Sequence, residues 1–235
     1  MNTSPTKDPD AVRQALTHAG ALLLDFDGPV CSVFAGIPAN VVADQLRAIL
    51  AEGGHTDIPP AVAESDDPFD VFRHAATLGP DEARYVEAAF TAHEVEAIPT
   101  AESTPGTHEL MTAWHNTGRP LAIVSNNSTA AVNVYLDLYD LRRYISAVAA
   151  RTSADASLLK PSPYLVAQAC TALDVPPHAA VLVGDSTTDI DAAYAAGSHA
   201  IGYANKPGKA QLLAEADAEL ITDTMSVLLE HVTRA

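Results

Sequence analysis

Cysteine is scarce in this sequence, which contains two among 235 residues. Two cysteines cannot build a disulfide framework, and by themselves they cannot form a zinc site. Cys170 shares an apolar helical face with Leu165, Val166 and Leu173, so we expect it to be a small core residue. Cys31 is also expected to pack inside the protein, and a nucleophilic role is the less favoured alternative.

Positive charge is scarce as well, because 13 lysines and arginines face 30 aspartates and glutamates, for a formal net charge of −17. This charge repels phosphate backbones and anionic lipid surfaces, which argues against nucleic acid or a membrane as a partner. The four lysines are Lys7, Lys160, Lys206 and Lys209. Lys160 is therefore the single lysine of the central chain. A phosphorylated small molecule would need such locally placed positive charge.

The sequence also lacks a hydrophobic run long enough to cross a membrane. Its first ten residues contain no apolar segment of the kind that a secretory signal needs. We interpret residues 1–19 as a flexible leader with a short helix, and we predict a cytoplasmic protein, monomeric or homodimeric. With 48% hydrophobic residues, the chain can bury one large core and a smaller satellite domain.

Short apolar runs alternate with helical patterns along most of the chain. The runs are too short for helices and are bounded by turn residues, so we interpret them as buried strands. The repeated strand–helix order predicts an α/β fold with a Rossmann-like, doubly wound, mostly parallel sheet. We assign residues 20–33 and 105–235 to this core. The predicted strands cover residues 21–25, 121–124, 145–149, 180–184, 199–203 and 218–221.

Residues 34–104 differ from the rest, because they contain helical periodicity, no lysine and no strong strand pattern. Val42, Leu46 and Leu50 recur on one face of an amphipathic helix. Further helices are predicted near residues 69–76 and 86–97. We therefore expect an inserted all-helical domain (the helical insert, residues 34–104), whose apolar face needs a neighbour to cover it.

Polar side chains lie where the strongest predicted strands end. Asp25 and Asp27 follow the first strand, and a fold rarely keeps two like charges there without a metal cation, a shared proton or a reaction. The alternative is an ordinary turn at residues 27–29. Parallel strands present their carboxyl ends at one sheet edge, so we expect one site there. Its candidate residues are Asp25, Asp27, Ser125, Asn126, Lys160, Asp185 and Asp189.

The chemistry of these candidates favours a hard cation together with phosphate. Four carboxylates suit Mg²⁺, which binds a few carboxylates together with substrate phosphate. Ser125 offers a hydroxyl, Asn126 a backbone N–H at a predicted loop-to-helix junction, and Lys160 a charge. The sequence has no Walker-type lysine loop and no dinucleotide-binding glycine fingerprint, which disfavours NTPases and nicotinamide enzymes.

Four ordered motifs resemble those of the haloacid dehalogenase (HAD) superfamily, over residues 21–33 and 105–222. The two aspartates of the first motif are similar to the phosphatase branch, and the helical insert stands where the family places its type 1 cap. The implied relatives are phosphoglycolate phosphatases and β-phosphoglucomutase-like enzymes. The motifs are Asp25-Phe26-Asp27-Gly28, Ser125-Asn126, Lys160-Pro161 and Gly184-Asp185-Ser186-Thr187-Thr188-Asp189. We expect Lys160-Pro161 to open a helix that runs to about residue 174.

The resemblance implies a role for each matching position. Asp25 would attack phosphorus and form an aspartyl-phosphate. Asp27 would protonate the leaving group and then activate water. Ser125 and the Asn126 backbone would hold the phosphoryl oxygens, and Lys160 would neutralise charge on Asp25 and on the phosphate.

The resemblance also implies a Mg²⁺ site, made by Asp25, the Asp27 backbone carbonyl and Asp185, with Asp189 in support. The expected substrate is a small phosphorylated metabolite, from which hydrolysis releases phosphate. A sugar-phosphate mutase that uses the same nucleophile is the alternative. A non-catalytic binding protein is a third hypothesis, which the intact aspartates disfavour. Pro29 departs from the Thr or Val that the family commonly has, and we expect a stiffer loop there.

Overall fold

The computed structural model describes residues 9–218 and 220–233. The first eight residues of the expected leader lie outside the described residues, and the helix predicted after them is present. The described helices are α1 (Pro9–His18), α2 (Ala39–Glu52), α3 (Pro60–Ala63), α4 (Pro68–Leu78), α5 (Pro80–Ala97), α6 (Thr107–Asn116), α7 (Thr129–Leu138), α8 (Tyr164–Leu173), α9 (Thr187–Ala196), α10 (Lys209–Glu215) and α11 (Met225–Thr233).

A six-stranded sheet forms the centre of the molecule, in the order β5-β4-β1-β6-β7-β8. Every neighbouring pair in this sheet is parallel. The predicted Rossmann-like α/β fold with a mostly parallel sheet is therefore confirmed. The strands are β1 (Ala21–Leu24), β2 (Cys31–Ser32), β3 (Glu102–Ser103), β4 (Leu121–Ser128), β5 (Ala147–Arg151), β6 (Ala180–Gly184), β7 (His199–Tyr203) and β8 (Leu220–Thr222).

Side chains of the central strand alternate between two apolar layers, as the pleat of a strand requires. Leu22 and Leu24 pack with residues of α1, α6, α7 and α11 on one face of the sheet. Leu23 packs with residues of α8, α9 and α10 on the other face. Cys170 is buried in this second layer and Cys31 in the first, which confirms the expected packing of both cysteines.

Helices α2–α5 lie between two short strands, β2 and β3, which pair antiparallel and bring the two ends of this segment together. Val42, Phe72 and Phe90 belong to a third apolar cluster formed by these helices. Leu159, from the segment before α8, is buried in the same cluster. A segment of the α/β core thus contributes to the apolar cluster of these helices.

The predicted start of one helix was wrong. Lys160-Pro161 does not open a helix, because α8 begins at Tyr164. A residue that precedes proline is biased away from the helical conformation. This applies to Lys160 before Pro161 and again to Ser162 before Pro163, so the helix starts only after the second proline. Lys160 consequently lies in a loop.

Among residues 9–218 and 220–233, no helix combines the length and the apolar character that crossing a bilayer would demand.

Candidate active site

The nucleophile candidate Asp25 lies directly after β1, at the carboxyl edge of the sheet, and is 7% exposed. Its Oδ1 accepts a hydrogen bond from the Phe26 N–H at 2.7 Å and lies 2.7 Å from Lys160 Nζ. Burial, with the charge of Asp189 adding to it, raises the pKa of Asp25 well above its usual range, while Lys160 opposes the shift. A cation beside this carboxyl therefore favours its ionised form.

Lys160 is buried between two carboxylates. Its Nζ lies 2.7 Å from Asp25 and 2.5 Å from Asp189, and it donates to the Val124 carbonyl at 3.1 Å. Burial alone lowers the pKa of a lysine, but the charges of Asp189 and Asp25 outweigh it and raise the pKa of Lys160. The lysine is thus a fixed positive charge in the floor of the site.

Asp185 and Asp189 complete an acidic group with Asp25. One carboxylate oxygen from each lies within 4.8 Å of the others. Asp189 also accepts hydrogen bonds from the Ser186 N–H (3.0 Å) and hydroxyl (2.7 Å), in a capping box that starts α9. Three carboxylate oxygens at this spacing form a group that can hold a metal ion.

Two glycines leave room for this acidic group. A Cβ at Gly28, whose φ is +107°, would lie 2.5 Å from the Asp185 carboxyl carbon, so the backbone of the first motif directly contacts this side chain. A Cβ at Gly184 would clash with Asp189. Glycine is therefore required at both positions for the carboxylates to approach one another.

Asp27 is only partly buried and faces the cleft described below. Its Oδ1 accepts a hydrogen bond from the Val33 N–H at 2.9 Å. Burial raises the pKa of Asp27 to about 6, although the Val33 N–H opposes the shift. A carboxyl group with a pKa near neutrality can both donate and accept a proton in a working pH range.

Ser125 and Asn126 belong to β4, which continues to Ser128, so they are not in the loop that the sequence predicts. Ser125 is fully buried, and its hydroxyl donates to Asn127 Oδ1 at 3.1 Å. The Asn126 side chain accepts from the Lys160 N–H (2.8 Å) and donates to the Lys160 carbonyl (3.3 Å). The second motif therefore fixes the backbone of the third.

A cleft of about 530 Å³ opens beside Asp27 and Asp185. Lys206 and Lys209 line it, and sequence reasoning did not place either of them at the site. Lys209 forms an ion pair with Asp185, to which Asn205 Nδ2 also donates at 3.0 Å. The cleft is lined by Asp27, Gly28, Ser32, Phe34, Ala39, Thr104, Asp185, Tyr203, Asn205, Lys206 and Lys209.

A second group that sequence reasoning missed lies on the other side of β4. Arg151, at the end of β5, forms ion pairs with Glu87 and Glu94 of α5, each at 2.6 Å. The Arg151 side chain is 1% exposed and the Glu94 side chain is fully buried. The sequence offered one indication of this group, an arginine at the end of a buried strand. The spacing along the chain does not connect this arginine to glutamates that lie 57 and 64 residues earlier.

A model of a hydrolase family, the haloacid dehalogenase-like hydrolases, matches residues 20–197, which is more than half of the chain. This segment contains the four predicted motifs and the whole helical insert.

Curated relatives cover a smaller part. The chain is 35% identical over 135 residues to the plasmid phosphoglycolate phosphatase of Cupriavidus necator, covering 56% of each protein. It is 30% identical over 125 residues to the phosphoglycolate phosphatase of Salmonella typhi, covering 53% of this chain and 49% of the relative. The chain thus spans about half the length of the curated relatives it matches.

Solved structures show the same fold across most of the chain. A predicted phosphatase from Clostridium acetobutylicum aligns with a TM-score of 0.69 at 16% identity, covering 92% of this chain and 99% of that one. A predicted phosphoglycolate phosphatase from Haemophilus somnus aligns with a TM-score of 0.66 at 20% identity, covering 91% and 97%. At these identities the likeness concerns the fold.

Proposed function

Because the chain belongs to the haloacid dehalogenase-like hydrolases, we propose that it is a Mg²⁺-dependent phosphatase. It hydrolyses a small phosphate monoester through an aspartyl-phosphate on Asp25. One observation carries this proposal most strongly. Lys160 is buried between Asp25 and Asp189, and these two carboxylates form an acidic group with Asp185 at the carboxyl edge of the sheet.

In the first chemical step, an oxygen of Asp25 attacks phosphorus, and the bond between phosphorus and the ester oxygen breaks. Asp27 gives its proton to the leaving alkoxide. In the second step, Asp27 takes a proton from water, whose oxygen attacks the phosphorus of the aspartyl-phosphate. Inorganic phosphate leaves and Asp25 is regenerated. The pKa of about 6 for Asp27 supports this double role.

The cation would be held by Asp25, Asp185 and Asp189, with the Asp27 backbone carbonyl as the fourth protein ligand. Their carboxylate spacing supports this assignment. When bound, Mg²⁺ supplies positive charge that offsets the negative charge of the transferring phosphoryl group. Lys160 supplies a second positive charge on the buried side, and its ion pair with Asp25 orients the nucleophile.

Ser125 and Asn126 are proposed to bind the phosphoryl oxygens, through the Ser125 hydroxyl and the Asn126 backbone N–H. When the Ser125 hydroxyl donates its one proton to phosphate, it gives up the bond to Asn127 Oδ1 and still accepts from the Asn127 N–H. The helical insert, residues 34–104, is proposed to act as a cap. Phe34 and Ala39 already line one wall of the cleft, which supports a role in excluding water.

The substrate is proposed to be a small metabolite that carries a second anionic group beside its phosphate. Two features support this. The matched relatives are named phosphoglycolate phosphatases. In addition, Lys206 and Lys209 place positive charge on the open side of the cleft of a chain whose net charge is −17. A cytoplasmic location and a monomeric or homodimeric state stay predictions.

The test is phosphate release from a panel of phosphate monoesters, with Mg²⁺ and with EDTA. The panel includes phosphoglycolate and a generic aryl phosphate, and no bisphosphate is added. We expect release with Mg²⁺ alone and none after chelation. Turnover that appears only with a bisphosphate activator would instead support the sugar-phosphate mutase. No turnover under any of these conditions would contradict an enzymatic function.

A further inference from the structure

A continuous chain of buried polar contacts joins helix α5 of the helical insert to the second motif. The Glu94 carboxylate, which is fully buried, accepts from Asn127 Nδ2 at 3.0 Å and from the Ser128 N–H at 2.9 Å. Asn127 Oδ1 in turn accepts from the Ser125 hydroxyl, and the Asn127 N–H donates back to Ser125 Oγ at 3.1 Å. Glu94 is thus two hydrogen bonds away from the proposed phosphate-binding hydroxyl.

A second chain of contacts runs from the same glutamate through Arg151. Its guanidinium binds Glu94 at 2.6 Å, and its Nε donates to the Asn126 carbonyl at 3.1 Å. The Asn126 side chain holds both backbone groups of Lys160. The residue before Lys160, Leu159, is buried in the apolar cluster of the insert. The second motif is therefore linked to α5 through Asn127 and Arg151, and Lys160 of the third motif is linked to it through Asn126 and Arg151.

Stability alone is a weak explanation for burying the charged side chains of Glu94 and Arg151. Taking charged groups out of water costs several kcal/mol for each ion, and well-packed apolar side chains often stabilise such a position as well or better. The contacts are also concentrated on one segment, because Glu94 and Arg151 form hydrogen bonds with three consecutive residues, Asn126, Asn127 and Ser128. Holding the insert in place does not require contacts with this particular segment.

We propose that Glu94 and Arg151 are positioning residues, which fix the Ser125 hydroxyl and Lys160 when α5 is seated on the core. They couple the position of the helical insert to phosphoryl transfer. This inference deepens the proposed function and rests on it. The site is then competent for phosphoryl transfer only while the insert contacts the segment of residues 125–128.

The chain offers a matched control for this proposal. Glu87, also on α5, forms an ion pair with the same guanidinium, but it accepts hydrogen bonds from Arg151 and Thr91 and, among the described residues, none from the second motif. Glu94→Gln and Glu87→Gln each remove one negative charge beside Arg151. Only Glu94→Gln forces an amide group to face the donors of Asn127, Ser128 and Arg151 with one acceptor oxygen.

The experiment measures kcat, KM and thermal unfolding of both variants with a phosphate monoester and Mg²⁺. We expect Glu94→Gln to lower kcat by about 10- to 100-fold, as partners of functional groups commonly do, and Glu87→Gln to stay within about threefold. Equal kcat losses in the two variants, or an unchanged kcat in Glu94→Gln, would overturn the proposal.

A double-mutant cycle identifies the route of the effect. If Glu94 acts through Ser125, Glu94→Gln has little further effect on kcat in a Ser125→Ala background. Fully additive effects of Glu94→Gln and Ser125→Ala on kcat would contradict the route from Glu94 through Asn127 to Ser125. Asn127→Ala leaves the Glu94–Arg151 ion pair in place, so it tests the same link if Glu94→Gln fails to fold. We expect it to lower kcat with a smaller loss of unfolding temperature than Glu94→Gln, because the Glu94–Arg151 ion pair stays.

Binding of inorganic phosphate, measured by calorimetry in the presence of Mg²⁺, separates this inference from the proposed function. A wild-type protein that binds phosphate but releases none from any ester would contradict the phosphatase proposal. The positioning proposal would still predict phosphate binding at least about tenfold weaker in Glu94→Gln than in Glu87→Gln. Equal affinities in the two variants would overturn it.

Discussion

The two sides of the candidate site use lysine in different ways. On the inner side, Lys160 has 2% of its side chain exposed and lies between Asp25 and Asp189. On the outer side, Lys209 has 25% of its side chain exposed and pairs with Asp185 at the wall of an open cleft. The inner lysine has no freedom to meet a variable part of a ligand, whereas the outer one borders solvent.

This difference separates chemistry from recognition. A buried charge that is surrounded by fixed carboxylates acts on the reacting phosphoryl group, which is the same in every phosphate ester. A charge at the open cleft, such as Lys206, can meet the part of the substrate that differs between esters. Changes on the inner side should therefore lower kcat for all substrates, and changes on the outer side should raise KM for some of them.

The largest effect is expected from Asp25→Asn. The amide keeps the size of the side chain but cannot attack phosphorus, so we expect phosphate release to fall by at least about 10³-fold for every ester. Steady-state assays with at least two unlike esters test this. A protein that loses activity toward one ester and keeps it toward another would break the assignment of Asp25 to the common chemistry.

The next effect is expected from Lys160→Met, which leaves Asp25 and Asp189 without their cation. We expect kcat to fall by about 10²- to 10³-fold with all esters. Breaking a buried ion pair on one side costs about 3–5 kcal/mol, so the free energy of unfolding without Mg²⁺ should fall by this order. Denaturant unfolding and steady-state kinetics measure both. An unchanged kcat would mean that the inner lysine is structural.

Mg²⁺ itself should change the stability of the wild-type protein. A ligand that binds only the folded state raises its stability, by about 2.7 kcal/mol at a concentration of 100 times its Kd. We expect the unfolding temperature to rise with Mg²⁺ and to return to its starting value with EDTA. Asp185→Asn should weaken this response, while Asp191→Asn, on an exposed position of α9, serves as the control. Equal responses in both variants would contradict the metal site.

The smallest effect is expected from Lys206→Met on the outer side. Removing an exposed charge near a substrate anion is worth about 1 kcal/mol, so KM for phosphoglycolate should rise about three- to tenfold. KM for an aryl phosphate, whose aryl group carries no charge, should change less than twofold. Both KM values should also change less than twofold in Arg143→Met, which removes an exposed charge elsewhere. A similar KM change for both esters would show that the open cleft does not recognise the second group.

The sequence was sufficient for the fold and for the inner side of the site. Three apolar runs marked the central strands, and the order of strands and helices defined a parallel sheet whose carboxyl edge collects the motif residues. Local rules were enough for Asp25 and Asp185, because each of them directly follows a strand end. They were not enough at Lys160, where the helix was wrongly predicted to begin and two prolines postpone it to Tyr164.

The outer side and the α5 contacts were not predictable in the same way. Lys206 and Lys209 follow β7, one strand beyond the motif-bearing β6, and only the assembled sheet brings them to Asp185. Arg151 and Glu94 are 57 residues apart and meet because α5 packs on the core. Contacts of this kind depend on how whole elements dock, and residue spacing along the chain does not encode that.

The central claim is that Asp25 carries the phosphoryl group during turnover. Wild-type protein turning over a phosphate monoester with Mg²⁺ is quenched in acid, reduced with borohydride and digested for peptide mass spectrometry. An aspartyl-phosphate is reduced to homoserine, so we predict that conversion at position 25 and at no other aspartate. Sustained phosphate release with Asp25 unmodified at every quench time, or conversion at another carboxylate, would contradict the account.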